Sequence, residues 1–253
     1  MNSDSLAKSD TAKTIESLSK LSNLALIKRL YRILKENDII IMNGYTGKIF
    51  RILFLLNLFY RKNIGLDSDT QLNVPANRLK RLLKYIYLGS VFRNKHYWGL
   101  PGGTKSHTDL FRYYGMSDDR ICLMPMVVNN NRFRMDESRD ISKFCFLYVG
   151  RVIGVKNIPM MIEAFKKASE EKRNLILRIV GSGNLLDGLK NRYKDCDNII
   201  FAGPKFGDEL AEEYRKASAF ILPSTYEPWG LVVNEAMASG LPVIVSDKVG
   251  AAS

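Results

Sequence analysis

At 253 residues and 46% apolar content, the chain can bury one large core or two modest ones. Its formal charge of +12 is lopsided: residues 1–137 carry 22 Lys and Arg against 12 Asp and Glu, and residues 138–253 carry 16 against 14. Three scattered cysteines (Cys122, Cys145, Cys196) without a C-x-x-C pair, and two histidines, His96 and His107, exclude a disulfide framework and a metal site of ordinary spacing.

Met1 is followed by a polar stretch rich in Ser and Lys, not by an apolar leader core, and the setting expected is reduced and cytoplasmic. From Thr14 to Lys35 the residues Ile15, Leu18, Leu21, Leu26, Leu30 and Leu34 recur at helical spacing, which predicts one or two helices. Asp38 opens DIIIMNG, expected to be a buried strand. IFRILFLLNLFY, ending at Tyr60, is too short for the roughly 20 residues of a membrane span and is expected to be a core helix. A second strand ends at Asp67, Ser68 and Asp69. Acids at a parallel strand's C-terminal end face the crevice where α/β proteins bind ligands, so Asp67 and Asp69 are acceptor-side candidates, with plain turn-forming acids as the competing reading.

Residues 76–87, ANRLKRLLKYIY, set Leu79, Leu82, Leu83 and Ile86 on one face and Arg78, Lys80, Arg81 and Lys84 around the others. This pattern reads first as a core-packing helix with a solvated basic face, and second as a helix lying against anionic lipid. The next stretch predicts a strand, the Gly102-Gly103 turn, a helix through Tyr113 carrying a structural His107, and a last strand into Pro125. The basic first half suits anionic lipid headgroups or phosphorylated acceptors. It has no Lys/Arg run interleaved with aromatics and no finger motif, so no nucleic-acid partner is expected, although a basic nucleic-acid binder stays as a competing hypothesis.

The polar stretch 129–142 is expected to be the linker between domains 1–137 and 138–253. Beyond it five apolar runs alternate with four helical patterns, the grammar of a doubly wound parallel sheet. Its last third, PSTYEPWGLVVNEAMASGLPVIVSD, reads as a strand end, a loop, a helix from Leu231 to Ser239 closed by Gly240, and another strand. A helix N-terminus opening off a strand presents free N–H groups, and Gly230 leaves room for a ligand to approach the backbone. Glu227 and Glu235 suit hydroxyl-rich groups such as a ribose and a hexose. Singly, each reads as well as a solvated loop acid or a first-turn dipole partner; with Gly230 and the closing Gly-Leu-Pro-Val-Ile they point to a binding site.

Glu227-Pro228-x-Gly230-Leu231, followed by Glu235-Ala236-Met237-Ala238-x-Gly240-x-Pro242-Val243-Ile244, resembles the donor-site signature of family 4 glycosyltransferases, retaining enzymes of the GT-B fold that use nucleotide sugars. The resemblance implies that Glu227 contacts sugar hydroxyls and Glu235 the nucleotide ribose, with Gly230, Leu231 and Val232 lining the donor site. It further implies that Gly150-Arg151 and Lys156 form the first loop of the C-terminal domain, where Arg151 and Lys156 take part in catalysis by holding the departing diphosphate. Gly181 and Gly183 would border the nucleotide, and Lys205 would flank the base. A family histidine near Asp67 and Asp69 has no counterpart here.

The fold class expected is α/β of GT-B type, two Rossmann-like domains with the N-terminal one incomplete. The resemblance spans roughly residues 38–253; it predicts that first strands of one domain and last elements of the other lie outside this chain. The function expected is transfer of a hexose from a nucleotide sugar to a glycan or lipid-linked acceptor with retention, in surface polysaccharide biosynthesis, without metal or cofactor. The chain would work in the cytoplasm or as a peripheral protein on the inner membrane face. The alternative is a catalytically incompetent nucleotide-sugar binder or partner subunit.

Overall fold

The computed structural model describes residues 18, 21–135, 143–172 and 174–252. Helices α1 to α8 span Asn23–Glu36, Gly47–Tyr60, Arg78–Phe92, Lys105–Tyr113, Ile158–Glu171, Leu186–Arg192, Gly207–Lys216 and Leu231–Ala238. Strands β1 to β8 span Ile39–Asn43, Asn63–Ser68, Tyr97–Pro101, Phe144–Val149, Leu175–Val180, Ile199–Gly203, Ala219–Leu222 and Val243–Val245. The chain divides into two compact units. One holds residues up to Ser68 together with Val74–Leu100 and Phe111–Cys122; the other holds Asp69–Asn73, Pro101–Leu110 and everything from Leu123 on.

The first unit is a three-stranded sheet in the order β1-β2-β3, with β1 and β2 parallel from Ile39 opposite Asn63 to Asn43 opposite Asp67. Its core joins Leu26, Leu30 and Leu34 of α1 to Phe50 and Leu53 of α2 and an aromatic cluster in which the Phe92 ring lies tilted against Phe111, centroids 5.0 Å apart. The buried Asn57 closes α2 by accepting from the Lys62 N–H (2.8 Å) and donating to the Lys62 carbonyl (2.9 Å).

Four expectations change here. DIIIMNG forms a strand at the edge of its sheet, not a buried one: it alternates, and Ile39 and Ile41 point to solvent. Helix α2 is a core helix on one face only, since Leu55, Leu58 and Phe59 are exposed. The core-packing reading of residues 76–87 fails, because Leu79, Leu82, Leu83 and Ile86 are all exposed and the buried side chains of α3 begin at Leu88. The strand expected to run into Pro125 is reduced to a bridge of Ile121 to Gly99, continued by the Cys122, Met124 and Met126 N–H groups bonding to the carbonyls of Gly99, Pro101 and Gly102. Ile15 lies outside the described residues.

The second unit is a five-stranded sheet, all parallel, in the order β6-β5-β4-β7-β8, with α5 to α8 as its crossovers. Leu147, Tyr148, Leu177, Ile179, Phe220 and Leu222 fill its core. Part of the expected linker is held in place: Phe133 is buried edge-on against Tyr214 at 5.6 Å, and Arg132 pairs with Asp208. Residues 136–142 lie outside the described residues. Helix α8 ends in a left-handed Gly240 (φ 72°), with Leu241 N–H bonding back to Ala236 and Gly240 N–H to Met237, the Schellman pattern that satisfies the last carbonyls.

Candidate donor site

Strand order reverses between β4, whose successors run outward to β6, and β7, which starts the other half of the sheet. Parallel sheets open their ligand crevice at such a reversal, outside the strands' C-terminal ends. The loop after β4 carries Gly150, Arg151 and Lys156, and the loop after β7 carries Glu227 and Gly230. The two are zipped together by Thr225, whose N–H and Oγ1 both donate to the Val155 carbonyl (2.8 and 3.1 Å). A Cβ at Gly181 would lie 1.8 Å from the Gly150 carbonyl oxygen, and one at Gly183 would lie 2.3 Å from that of Val152. The G-x-G after β5 is thus required by the crossing of two backbones.

At the crevice the Lys156 ammonium is ion-paired with the Glu227 carboxylate, both side chains nearly buried. Burial, then the neighbouring Arg151 charge, push the Lys156 ammonium down from its ordinary range. Arg151 is exposed, has no ion-pair partner among the described residues, and is held at its carbonyl by the Tyr148 hydroxyl at 2.9 Å. A cation and a carboxylate from loops of different strands thus meet, with the Arg151 charge near enough to act on the lysine.

Glu235 lies in the second turn of α8, beyond a first-turn dipole role. The buried Tyr214 hydroxyl donates to its Oε2 at 2.7 Å, yet burial outweighs this bond and raises the Glu235 carboxyl above its ordinary value. Gly230 caps the helix at φ 96°, but the room a Cβ would need is taken by Val249, Glu227 and Leu222 side chains at 3.2–3.4 Å. The positive φ alone accounts for a glycine at this position. Leu231 and Val232 form the first turn behind it.

The other candidates lie elsewhere. Lys205 follows the edge strand β6 and pairs with Glu209 at 3.3 Å. Asp67, in the first unit, accepts from the Asn43 side chain at 3.3 Å. Asp69 belongs to the second unit, where its charge acts on Tyr226 and His107.

Sequence reasoning missed a brace around the Glu227 loop. The Glu227 carbonyl accepts from Gln71 Nε2 (3.3 Å) and from the Gly250 N–H (3.0 Å); the Pro228 carbonyl accepts from Gln71 Nε2 (3.3 Å) and from His107 Nε2 (3.0 Å). The Trp229 ring lies so close to Gly103 that a Cβ there would come within 2.6 Å of it. Gln71, His107 and Gly103 stand more than a hundred positions from this loop in the chain, and no spacing rule connects them to it.

Residues 130–253 match the family model of glycosyl transferases, group 1. The chain is 40% identical over 111 residues to an uncharacterized glycosyltransferase of Methanocaldococcus jannaschii, covering 41% of this chain and 27% of that one. It is 31% identical over 208 residues to a D-inositol 3-phosphate glycosyltransferase of Pseudarthrobacter chlorophenolicus, covering 76% and 47%. It thus spans at most about half the length of these relatives. Among solved structures, HepE of Anabaena in complex with UDP superposes with a TM-score of 0.72 at 18% identity over 90% of this chain and 65% of that one; the same protein has been solved with UDP-glucose. The fold is α/β of the GT-B glycosyltransferase type, with Rossmann-like parallel sheets.

Proposed function

We propose that the chain forms the donor site of a retaining hexosyltransferase of family 4 type, taking a hexose from a nucleotide sugar to a glycan or lipid-linked acceptor in surface polysaccharide biosynthesis. The observation that carries this reading is the Lys156–Glu227 ion pair at the sheet's reversal point, within reach of the Arg151 charge. Rupture of the sugar–phosphate bond leaves negative charge on the diphosphate and positive charge on the sugar. Arg151 offers a planar fork and Lys156 a point charge to the first, while the Glu227 carboxylate faces the second. Glu235, held by Tyr214, takes the ribose hydroxyls. The reading needs no metal or cofactor, because fixed cations do the neutralising, and it takes no nucleic-acid partner.

The exposed Leu79, Leu82, Leu83 and Ile86 of α3, beside Arg78, Lys80 and Arg81, favour peripheral attachment to an anionic cytoplasmic leaflet. Among the described residues no helix is long and apolar enough to cross a membrane.

The test is turnover of UDP-glucose, with glycan and lipid-linked acceptors, followed by NMR of the product's anomeric centre. A product with the donor's configuration supports the reading, and the opposite anomer overturns retention. Donor binding without turnover favours the competing reading, a nucleotide-sugar binder that works with a partner subunit.

A further inference from the structure

His107 is completely buried, on α4, and its ring is oriented from both sides. The Thr104 N–H points at Nδ1 (3.4 Å), which makes Nδ1 the acceptor, so the proton sits on Nε2 and is donated to the Pro228 carbonyl at 3.0 Å. Gln71 donates to that same carbonyl and to the one before it, both at 3.3 Å. On the other side, the Gly250 N–H bonds the Glu227 carbonyl (3.0 Å) and the Ala251 N–H the Trp229 carbonyl (2.8 Å). Three successive carbonyls are thus fixed while the Glu227 side chain reaches Lys156. A loop that must aim a carboxylate gains from having its own backbone locked, since small displacements of an aimed group forfeit much of its effect.

We propose that Gln71 and His107 are positioning residues: they hold the Glu227–Trp229 backbone so that the Glu227 carboxylate is aimed at the donor's sugar, and through it they govern recognition of the sugar and not of the nucleoside diphosphate. The proposal rests on the donor-site reading given above. Neither side chain touches the substrate in it. Arg151 and Glu235, which serve the diphosphate and the ribose in that reading, stand on other segments and do not depend on the brace.

The experiment titrates UDP and UDP-glucose calorimetrically into the 253-residue chain and into His107→Leu, Gln71→Leu and His107→Gln. A glutamine amide can set an N–H near the place of Nε2, whereas leucine fills the space and donates nothing. Each leucine variant is expected to lower the UDP-glucose affinity relative to UDP about tenfold, without lowering the UDP affinity, and His107→Gln to recover most of the loss. An unchanged ratio, an equal fall for both probes, or His107→Gln behaving like His107→Leu would overturn the proposal. A second readout uses Trp229 as the sole tryptophan in a Trp98→Phe background, with acrylamide quenching. His107→Leu is expected to raise the quenching of Trp229, whose ring lies 6.1 Å from that of His107; unchanged quenching overturns the brace. If the parent chain binds neither probe, the donor-site reading falls and takes the sugar-recognition claim with it, while the quenching arm still decides the brace.

Discussion

Lys156 and Glu227, 71 positions apart in the chain, form an ion pair in which the side chains are only 11% and 14% exposed. Two charges withdrawn from water lose hydration that their attraction has to offset, so removing one partner leaves the other buried and unpaired. Lys156→Met is expected to destabilise the second unit by about 3 kcal/mol, and the double variant Lys156→Met with Glu227→Gln by clearly less than the sum of the two single changes. Urea unfolding of the four proteins measures this, and strictly additive losses would show that the two side chains do not stabilise one another.

In the donor-site reading the same pair sets how the diphosphate binds, because Lys156 must exchange a carboxylate for a phosphate. Charge-assisted hydrogen bonds contribute roughly 1.5–3 kcal/mol each, so Arg151→Ala with Lys156→Ala should weaken UDP binding by about two to four orders of magnitude. Lys156→Ala alone should be the worse single change, since it also leaves Glu227 facing the phosphates. Calorimetry on the three variants decides it, and an unaltered UDP affinity in the double variant would remove the cation assignment.

Acid should weaken the fold through His107. Burial lowers its imidazole below the ordinary 6.5, partly opposed by the Pro228 carbonyl and the Asp69 charge. A base with a lowered folded value stabilises the fold above its unfolded value and loses that contribution as pH falls from about 6.5 through the folded one. Glu235 runs the other way: its raised carboxyl favours the fold most at low pH, and that contribution is lost as pH rises through the folded value. Comparing stability from pH 7 to pH 5 in the parent chain and in His107→Gln isolates the histidine. The variant should show the shallower acid loss, and identical profiles would mean that His107 does not titrate with folding.

Attachment to anionic vesicles should need α3. Basic residues at an anionic surface contribute about 1 kcal/mol each, screened by salt within a Debye length. Arg78, Lys80 and Arg81 are exposed, whereas Lys84 is partly buried 5.6 Å above the Tyr114 ring, so the first three should account for most of the effect. Replacing these three with Gln, or Leu79, Leu82, Leu83 and Ile86 with Ser, is expected to abolish co-sedimentation with phosphatidylserine vesicles at physiological salt. Co-sedimentation unchanged in both variants would end the membrane reading.

The second unit is legible in the sequence because its signals are local: apolar runs of strand length, Gly240 after a helix, and two acids eight positions apart on one strand–loop–helix unit. The first unit was read less well. Apolar runs such as DIIIMNG and IFRILFLLNLFY look buried on composition alone, but burial depends on the neighbours a sheet edge or helix face acquires, and Ile39, Ile41 and Phe59 stay largely exposed. Gly230 reads in the sequence as an opening for a ligand, and Gly183 as a residue bordering the nucleotide. The structure gives positive φ at the first and a crossing backbone at the second, and neither requirement can be told from ligand contact in a string of letters. The link from Gln71 and His107 to the Glu227 loop is long-range and made to carbonyls, which carry no residue-type signal at all.

The most direct test of the account is a calorimetric comparison of Glu227→Gln and Glu235→Gln, each titrated with UDP and with UDP-glucose. Glu227→Gln removes the charge that meets the sugar and frees Lys156, so UDP should bind as well as before or tighter, while the relative affinity for UDP-glucose falls about tenfold. Glu235→Gln should instead weaken UDP itself about tenfold through lost ribose contacts, leaving the ratio of the two ligands unchanged. Equal losses of UDP affinity in both variants, or a Glu227→Gln chain that keeps the parent's preference between the two ligands, would contradict the division of labour on which the donor site rests.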